Sequence, residues 1–390
     1  MKYQYMALIG LLLSAMLLFL PKKIKANLIL MGFSSLIGLY LLETLLAIIP
    51  ISIKYIHSDY QYDFRSRDQV IRELNREGDV WRPQLTPILL LNGPLTNSLI
   101  PLAGISNSKT VYCNENGEYI TYLSDRYGFN NPDENWAREN GGIVLIGDSM
   151  AHGACVNPES NIAGNLSNLL NKTIINLGMP GNGPTLALGT LKEYGPIQNP
   201  DYVFWLFFEG NDLVSDLPQE KNTEVISRYI ENDYSQNLSN KQELIDNFWI
   251  ENIEKPNFLS SELIRNLKLP RLRYLINIDR GSPIDIDFYR EVLIEGKRYS
   301  ESLGSKIIFV YLPEYQRYVN ESYHNEKYII RDLVEELGIT FIDIDEELFE
   351  PKENPLSFFP FEYPGHYNEA GYKKISVVIE NKIEEIEGGK

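Results

Sequence analysis

Cysteine is nearly absent from this chain of 390 residues: there are two, Cys113 and Cys155. That is too few for a disulfide-built scaffold or a cysteine-rich metal set. Positive charge is scarce as well. Residues 1–54 hold Lys2, Lys22, Lys23, Lys25 and Lys54 against one acid, Glu43, which leaves the rest with 31 bases, 52 acids and a formal charge of −21. A surface of that sign repels phosphate backbones, which excludes nucleic acid as a partner held by counterion release and disfavours polyanionic substrates. Long apolar runs are missing after residue 54, which excludes a polytopic transporter, and no repeat of solenoid length is present. The 44% hydrophobic, 23% charged composition is that of a folded chain.

What is there begins with two apolar stretches, 3–20 without formal charge and 26–53 with only Glu43. Each is long enough to cross a bilayer core, which takes about twenty helical residues. Pro21-Lys22-Lys23-Ile24-Lys25 stands where a secretory signal would carry small residues, so residues 1–54 are expected to form an uncleaved transmembrane helical hairpin. Three lysines in the connection place it in the cytoplasm and everything after Lys54 on the far side, giving a multi-pass membrane protein with an extracytoplasmic body, periplasmic or at the cell surface. Glu43 reads as a protonated carboxyl bonded to Ser14, Ser34 or another helix rather than as a relay. In an oxidising compartment Cys113 and Cys155 either pair, closing a loop worth about 4 kcal/mol, or stay as two buried thiols.

Residues 55–140 read as an irregular extension with a helix near 69–78 and a β-hairpin over 110–123, turned at Asn114-Glu115-Asn116-Gly117. From Gly142 short apolar runs alternate with amphipathic stretches, the pattern of βα units. Strands are predicted at 143–146, 173–177, 202–208, 306–312 and 340–344, and helices at 158–170, 184–194, 288–303, 326–337 and 369–386. This is an α/β fold, a parallel sheet flanked by helices. Residues 213–284 interrupt it, too long for a bare loop and rich in aromatics. They form either a lid over a site or a side elaboration that packs the extension.

Four segments carry chemistry. Gly147-Asp148-Ser149 closes the first strand of the α/β region, where ligands of open sheets collect. A serine there offers a nucleophile and, through its own N–H, an oxyanion donor, although Asp-Ser is also an ordinary helix cap. Gly181, in the turn after the second strand, lets a bare N–H approach a developing oxyanion, and Asn211, after the third, adds an amide donor. The plain reading of these two is a Gly-rich turn and a polar strand end. His366, just before a helix that Asn368 can cap, is the best placed base of the four histidines. His152 reads as a polar wall and His324 as inert.

The set resembles the SGNH (GDSL-type) hydrolases, in which serine, glycine, asparagine and histidine come from four separate blocks; Ser149, Gly181, Asn211 and His366 stand in that order. The resemblance covers about residues 141–388 and implies a flavodoxin-like three-layer α/β/α fold. Position by position it implies Ser149 as nucleophile, the Ser149 amide, Gly181 and Asn211 as the oxyanion hole, and His366 as general base. One position departs: the family usually has an aspartate three residues before its histidine, and this chain has Tyr363 there. Glu362 is the first choice of orienting acid, with Asp343, Asp345 or a backbone carbonyl as alternatives. An α/β-hydrolase elbow, the nearest rival motif, fails because its serine follows several strands.

The expected activity of this membrane-anchored bacterial member is removal of O-acyl groups from a cell-envelope carbohydrate through an acyl-serine, with no cofactor and no metal. Its alternatives are an O-acetyltransferase of an envelope polysaccharide, which needs a multi-span acyl-donor protein as partner, a lipase or thioesterase, and a non-catalytic scaffold on the same fold.

Overall fold

The computed structural model describes residues 21–57, 62–91, 99–137, 142–253, 267, 269, 272–273, 284–320 and 326–388. The chain divides into two compact units, one of residues 1–57 with 256–280 and one of residues 58–255 with 281–390. In the first, helix α1 runs over Lys22–His57, and its Lys22–Leu46 stretch is long and apolar enough to cross a membrane. Lys22, Lys23 and Lys25, expected in a connection, lie in its first turn, where lysine is a good helix former and Pro21 is the first described residue before them. The other predicted span, 3–20, with Ser14, lies outside the described residues. Glu43 is buried and accepts the Leu272 N–H at 2.9 Å, while Tyr40 Oη donates to the Leu267 carbonyl at 3.0 Å. The partner of Glu43 is thus the backbone of the 213–284 insertion.

The second unit opens with helix α2 (Arg67–Arg76), whose Ser66 and Gln69 form a reciprocal capping box. Strands β1 (Trp81–Pro83), β2 (Lys109–Val111) and β3 (Thr121–Leu123) make a small sheet, with β2 parallel to β1 and antiparallel to β3. The β2–β3 pair is the hairpin expected at 110–123.

The α/β region contributes β4 (Ile143–Gly147), β5 (Ile174–Asn176), β6 (Tyr202–Phe208), β7 (Lys306–Leu312) and β8 (Thr340–Asp343), all parallel, in the order β5-β4-β6-β7-β8. Their apolar runs are unbroken because both faces are covered. Tyr202, Phe204 and Leu206 join the core with helices α3 (Ile162–Leu170) and α8 (Glu369–Gly388). On the alternate register Trp205 points the other way, where Gly296 allows its ring to lie against the helix; a Cβ there would come within 2.4 Å of it. That face carries α4 (Pro184–Tyr194) and α6 (Ile286–Ser302), and α7 (Glu326–Glu336) packs against β8.

Within the second unit the predicted strands and helices match to within two residues except at 158–170. There Asn161 leaves the helix, caps Gly164 N–H at 2.8 Å, and separates a short 3-10 turn at Pro158–Ser160 from α3. The described part of the insertion, including α5 (Gln242–Ile253), packs the extension. Trp249 Nε1 donates to the Ala103 carbonyl at 2.8 Å, Asp246 accepts from the Ser106 amide and hydroxyl, and Gln236 pairs with both backbone groups of Ile100. Tyr229 and Trp249 are fully buried. These aromatics form core rather than a lid.

Candidate active site

Strand β4 lies between β5 and β6, so the chain turns to one side of it and then to the other, which opens a crevice at its C-terminal end. Gly147 ends the strand at φ +147°, and a Cβ there would lie 2.4 Å from the Leu206 carbonyl. Only glycine lets β4 and β6 close to that distance. Asp148 then caps one turn of helix, Ser149–His152, its Oδ1 accepting the Met150 N–H at 2.8 Å. Asn176, at the end of β5, braces the same turn by donating to the Ala151 carbonyl at 2.7 Å. Ser149 is left at the mouth of the crevice.

His366 precedes α8, where Asn368 Oδ1 accepts the Gly371 N–H at 2.9 Å. Its Nε2 is 2.9 Å from Ser149 Oγ. Its Nδ1 is 3.0 Å from Glu115 Oε1, and its backbone N–H donates to Glu115 Oε2 at 2.7 Å. A carboxylate only accepts, so Nδ1 carries the proton and Nε2 is the free acceptor facing the serine hydroxyl. Burial opposes charging the ring, yet the charge and hydrogen bond of Glu115, with Asp148 behind, raise its pKa above the ordinary histidine value.

Glu362, the first choice of orienting acid, is elsewhere: its Oε1 accepts from Asn354 at 2.8 Å. Residues 361 and 362 both take positive φ. Asp343 and Asp345 are also engaged, both on the buried Lys327 at 3.2 and 2.9 Å, Asp343 further with Arg331 and Asp345 with Tyr318 Oη at 2.6 Å. The carboxylate at Nδ1 comes instead from the hairpin turn of the extension. The turn signal at 114–117 was visible in the sequence; nothing local tied it to a histidine 251 residues away.

Gly181 takes φ +77° on the loop after β5, and its position is closed by Ile88. Asn211 follows β6; its Nδ2 donates to Asp216 Oδ2 at 2.5 Å and its side chain also reaches Asp148 beside the serine. Burial raises the carboxyl of Asp148, and burial together with neighbouring acids pushes Asp216 up to about 7 and Glu220 to about 8. Glu220 accepts from the Gly183 and Thr185 N–H groups at the start of α4.

His152 is buried between Tyr112 and Tyr122 and within 3.3 Å of Tyr122 Oη, and burial pushes its imidazole down to about 3. It is a neutral wall of the turn. Cys113 and Cys155 are joined by a disulfide, with Cα atoms 5.2 Å apart. Donor atoms of Glu115, Cys155 and His366 fall within 4.8 Å of one another, but that sulfur is spent in the bridge and offers no thiolate to a metal.

No family model and no curated protein matches the chain. Solved structures do, and those it resembles are lipase/acylhydrolases and acetyl xylan esterases. The lipase/acylhydrolase from Enterococcus faecalis is 16% identical, covering 63% of this chain and 95% of that one, with a TM-score of 0.39. Axe2, an acetylxylan esterase from Geobacillus stearothermophilus, is 14% identical over 63% and 94% of the two chains, TM-score 0.36. A two-domain esterase active on acetylated mannans is 14% identical over 65% and 51%, TM-score 0.35.

Proposed function

We propose that this protein is a serine ester hydrolase of the SGNH type, anchored in a membrane, that removes acyl groups, acetyl above all, from the hydroxyls of an extracytoplasmic carbohydrate. The observation that carries this reading is the 2.9 Å approach of His366 Nε2 to Ser149 Oγ at the C-terminal end of β4. As Ser149 Oγ attacks the ester carbonyl, its proton passes to Nε2. The oxyanion takes hydrogen bonds from the Ser149 and Gly181 amides and from Asn211 Nδ2, whose second proton exchanges Asp148 for the oxyanion while the first stays on Asp216. The C–O bond to the sugar breaks, and Nε2 returns the proton to the leaving alkoxide. Water, deprotonated by His366, then cleaves the acyl-serine to carboxylic acid and free Ser149.

The net charge of −21 after residue 54 favours a neutral substrate over a polyanionic one. Lys22–Leu46 supports the anchor, and the Cys113–Cys155 bridge supports an oxidising compartment for the body. The test uses the full-length protein in detergent. It is expected to hydrolyse a short-chain aryl ester, release acetate from an O-acetylated polysaccharide, and react with a fluorophosphonate at Ser149. Well-folded protein with no turnover and no label removes the hydrolase reading, whereas label with transfer of acetate to a sugar in place of its release redirects it to an acyltransferase.

A further inference from the structure

The region that resembles a hydrolase lacks an acid beside its histidine, and the carboxylate found there arrives from outside that region. Glu115 sits at the tip of the β2–β3 hairpin and grips His366 twice, Oε1 on the ring at 3.0 Å and Oε2 on the backbone N–H at 2.7 Å. Both side chains are 24% exposed, half sheltered at the crevice rim. Gly365 makes room for this: a Cβ on it would lie 2.6 Å from Glu115 Oε2.

The tip is not left to find this position by itself. Cys113, two residues before Glu115, is bonded to Cys155, which follows the nucleophile turn. Asn116, one residue after, donates to the Cys155 carbonyl at 2.8 Å. Behind the tip, Asn114 Nδ2 donates to the Asp63 carbonyl at 2.8 Å, and the Asp63 N–H donates to the Gly117 carbonyl at 2.7 Å. Glu115 is therefore flanked on both sides by links to the segment that carries Ser149.

From this we infer that Glu115 is the positioning residue of the site and that the Cys113–Cys155 bridge holds it on His366, so that the extension completes a catalytic apparatus the α/β region does not complete alone. The inference rests on the reading of Ser149 and His366 as nucleophile and base. A carboxylate on Nδ1 selects the tautomer whose Nε2 accepts the serine proton and stabilises the imidazolium that follows. Charged and titratable groups facing the ring are Glu115, Asp148 and the neutral His152; of these Glu115 contributes most to raising its pKa.

The experiment measures aryl-ester kcat and KM against pH in full-length protein, with fluorophosphonate labelling in parallel. Glu115→Gln is expected to lower kcat by about 10²–10⁴-fold with KM little changed. Its acidic limb should move to lower pH, because the charge that favours imidazolium is gone. Glu115→Asp should recover part of the rate and most of the limb position, which a purely structural glutamate would not require. Gly365→Ala, which displaces the carboxylate, should shift rate and limb in the same direction as Glu115→Gln. The Cys113→Ser, Cys155→Ser double variant should lose about tenfold in kcat as the tip loosens. Glu115→Gln with the parent's kcat, acidic limb and melting temperature overturns the inference while the Ser149 reading stands. Parent protein that neither turns over nor labels overturns that reading instead. Should Glu115→Gln not fold, Gly365→Ala and the double variant decide, and the parent's rate and limb in both overturns the inference.

Discussion

Ser149 and Glu115 stand on opposite sides of the same imidazole, and the two regions that deliver them hold them by different physics. The serine sits on a scaffold of repeated geometry: a fully buried strand, a positive-φ glycine that lets neighbouring strands close, and one capped helical turn. The glutamate sits on a hairpin of two three-residue strands in a part of the chain with little regular structure. Its position depends on a disulfide and a few polar side chains that reach across the sequence. A periodic scaffold positions a residue through many small packing contacts, each replaceable. A hairpin tip does so through few links, each of which matters singly.

The comparison breaks most visibly at the serine and its base. Ser149→Ala and His366→Ala should each lower activity by about 10⁴-fold or more in steady-state ester hydrolysis, leaving stability near that of the parent. Next comes Asn211→Ala, expected to cost about 10²–10³ in kcat with little change in KM; an unchanged rate would remove it from the oxyanion hole. In the periodic region Leu206→Ala should open a cavity between β6 and its helices and destabilise by about 2–5 kcal/mol in denaturant titration. Where the insertion packs the extension, Trp249→Phe keeps a buried aromatic ring but leaves the Ala103 carbonyl without its donor, so the loss should be about 1–3 kcal/mol by the same titration.

The buried acids sharpen the contrast through pH. Asp216 and Glu220 hold protons in the fold up to about pH 7 and 8 that the unfolded chain releases near pH 4. The native state therefore binds more protons across that window, and stability falls as pH rises through it. Melting temperature should decline from pH 5 to 8, and Asp216→Asn should flatten that decline. A melting curve that climbs over the same range would contradict the assignment.

Much of the α/β region is legible in the sequence. Residues 202–208 and 306–312 are strands in the sequence pattern and in the fold, because an apolar run of seven bounded by polar residues is a local signal. Ser149, Gly181, Asn211 and His366 were legible for a related reason: each follows a strand or precedes a helix whose ends the pattern marks. The break at Asn161 was missed because an internal cap competes with helix continuation by one hydrogen bond, which a pattern of apolar spacing does not register.

The amino-acid order by itself determined where the parallel strands lie, that the chain opens with apolar stretches, and that Ser149, Gly181 and Asn211 follow strands while His366 precedes a helix, since each of these is written within a dozen residues. Only the tertiary structure decided that Glu43 bonds to Leu272, that Asp343 and Asp345 serve Lys327, and that Glu115 rather than Glu362 lies on His366. A carboxylate carries no mark of the partner it will find. Which cation, amide or imidazole it meets depends on how segments hundreds of residues apart pack, and here a hairpin pinned at Cys155 brought the nearest one.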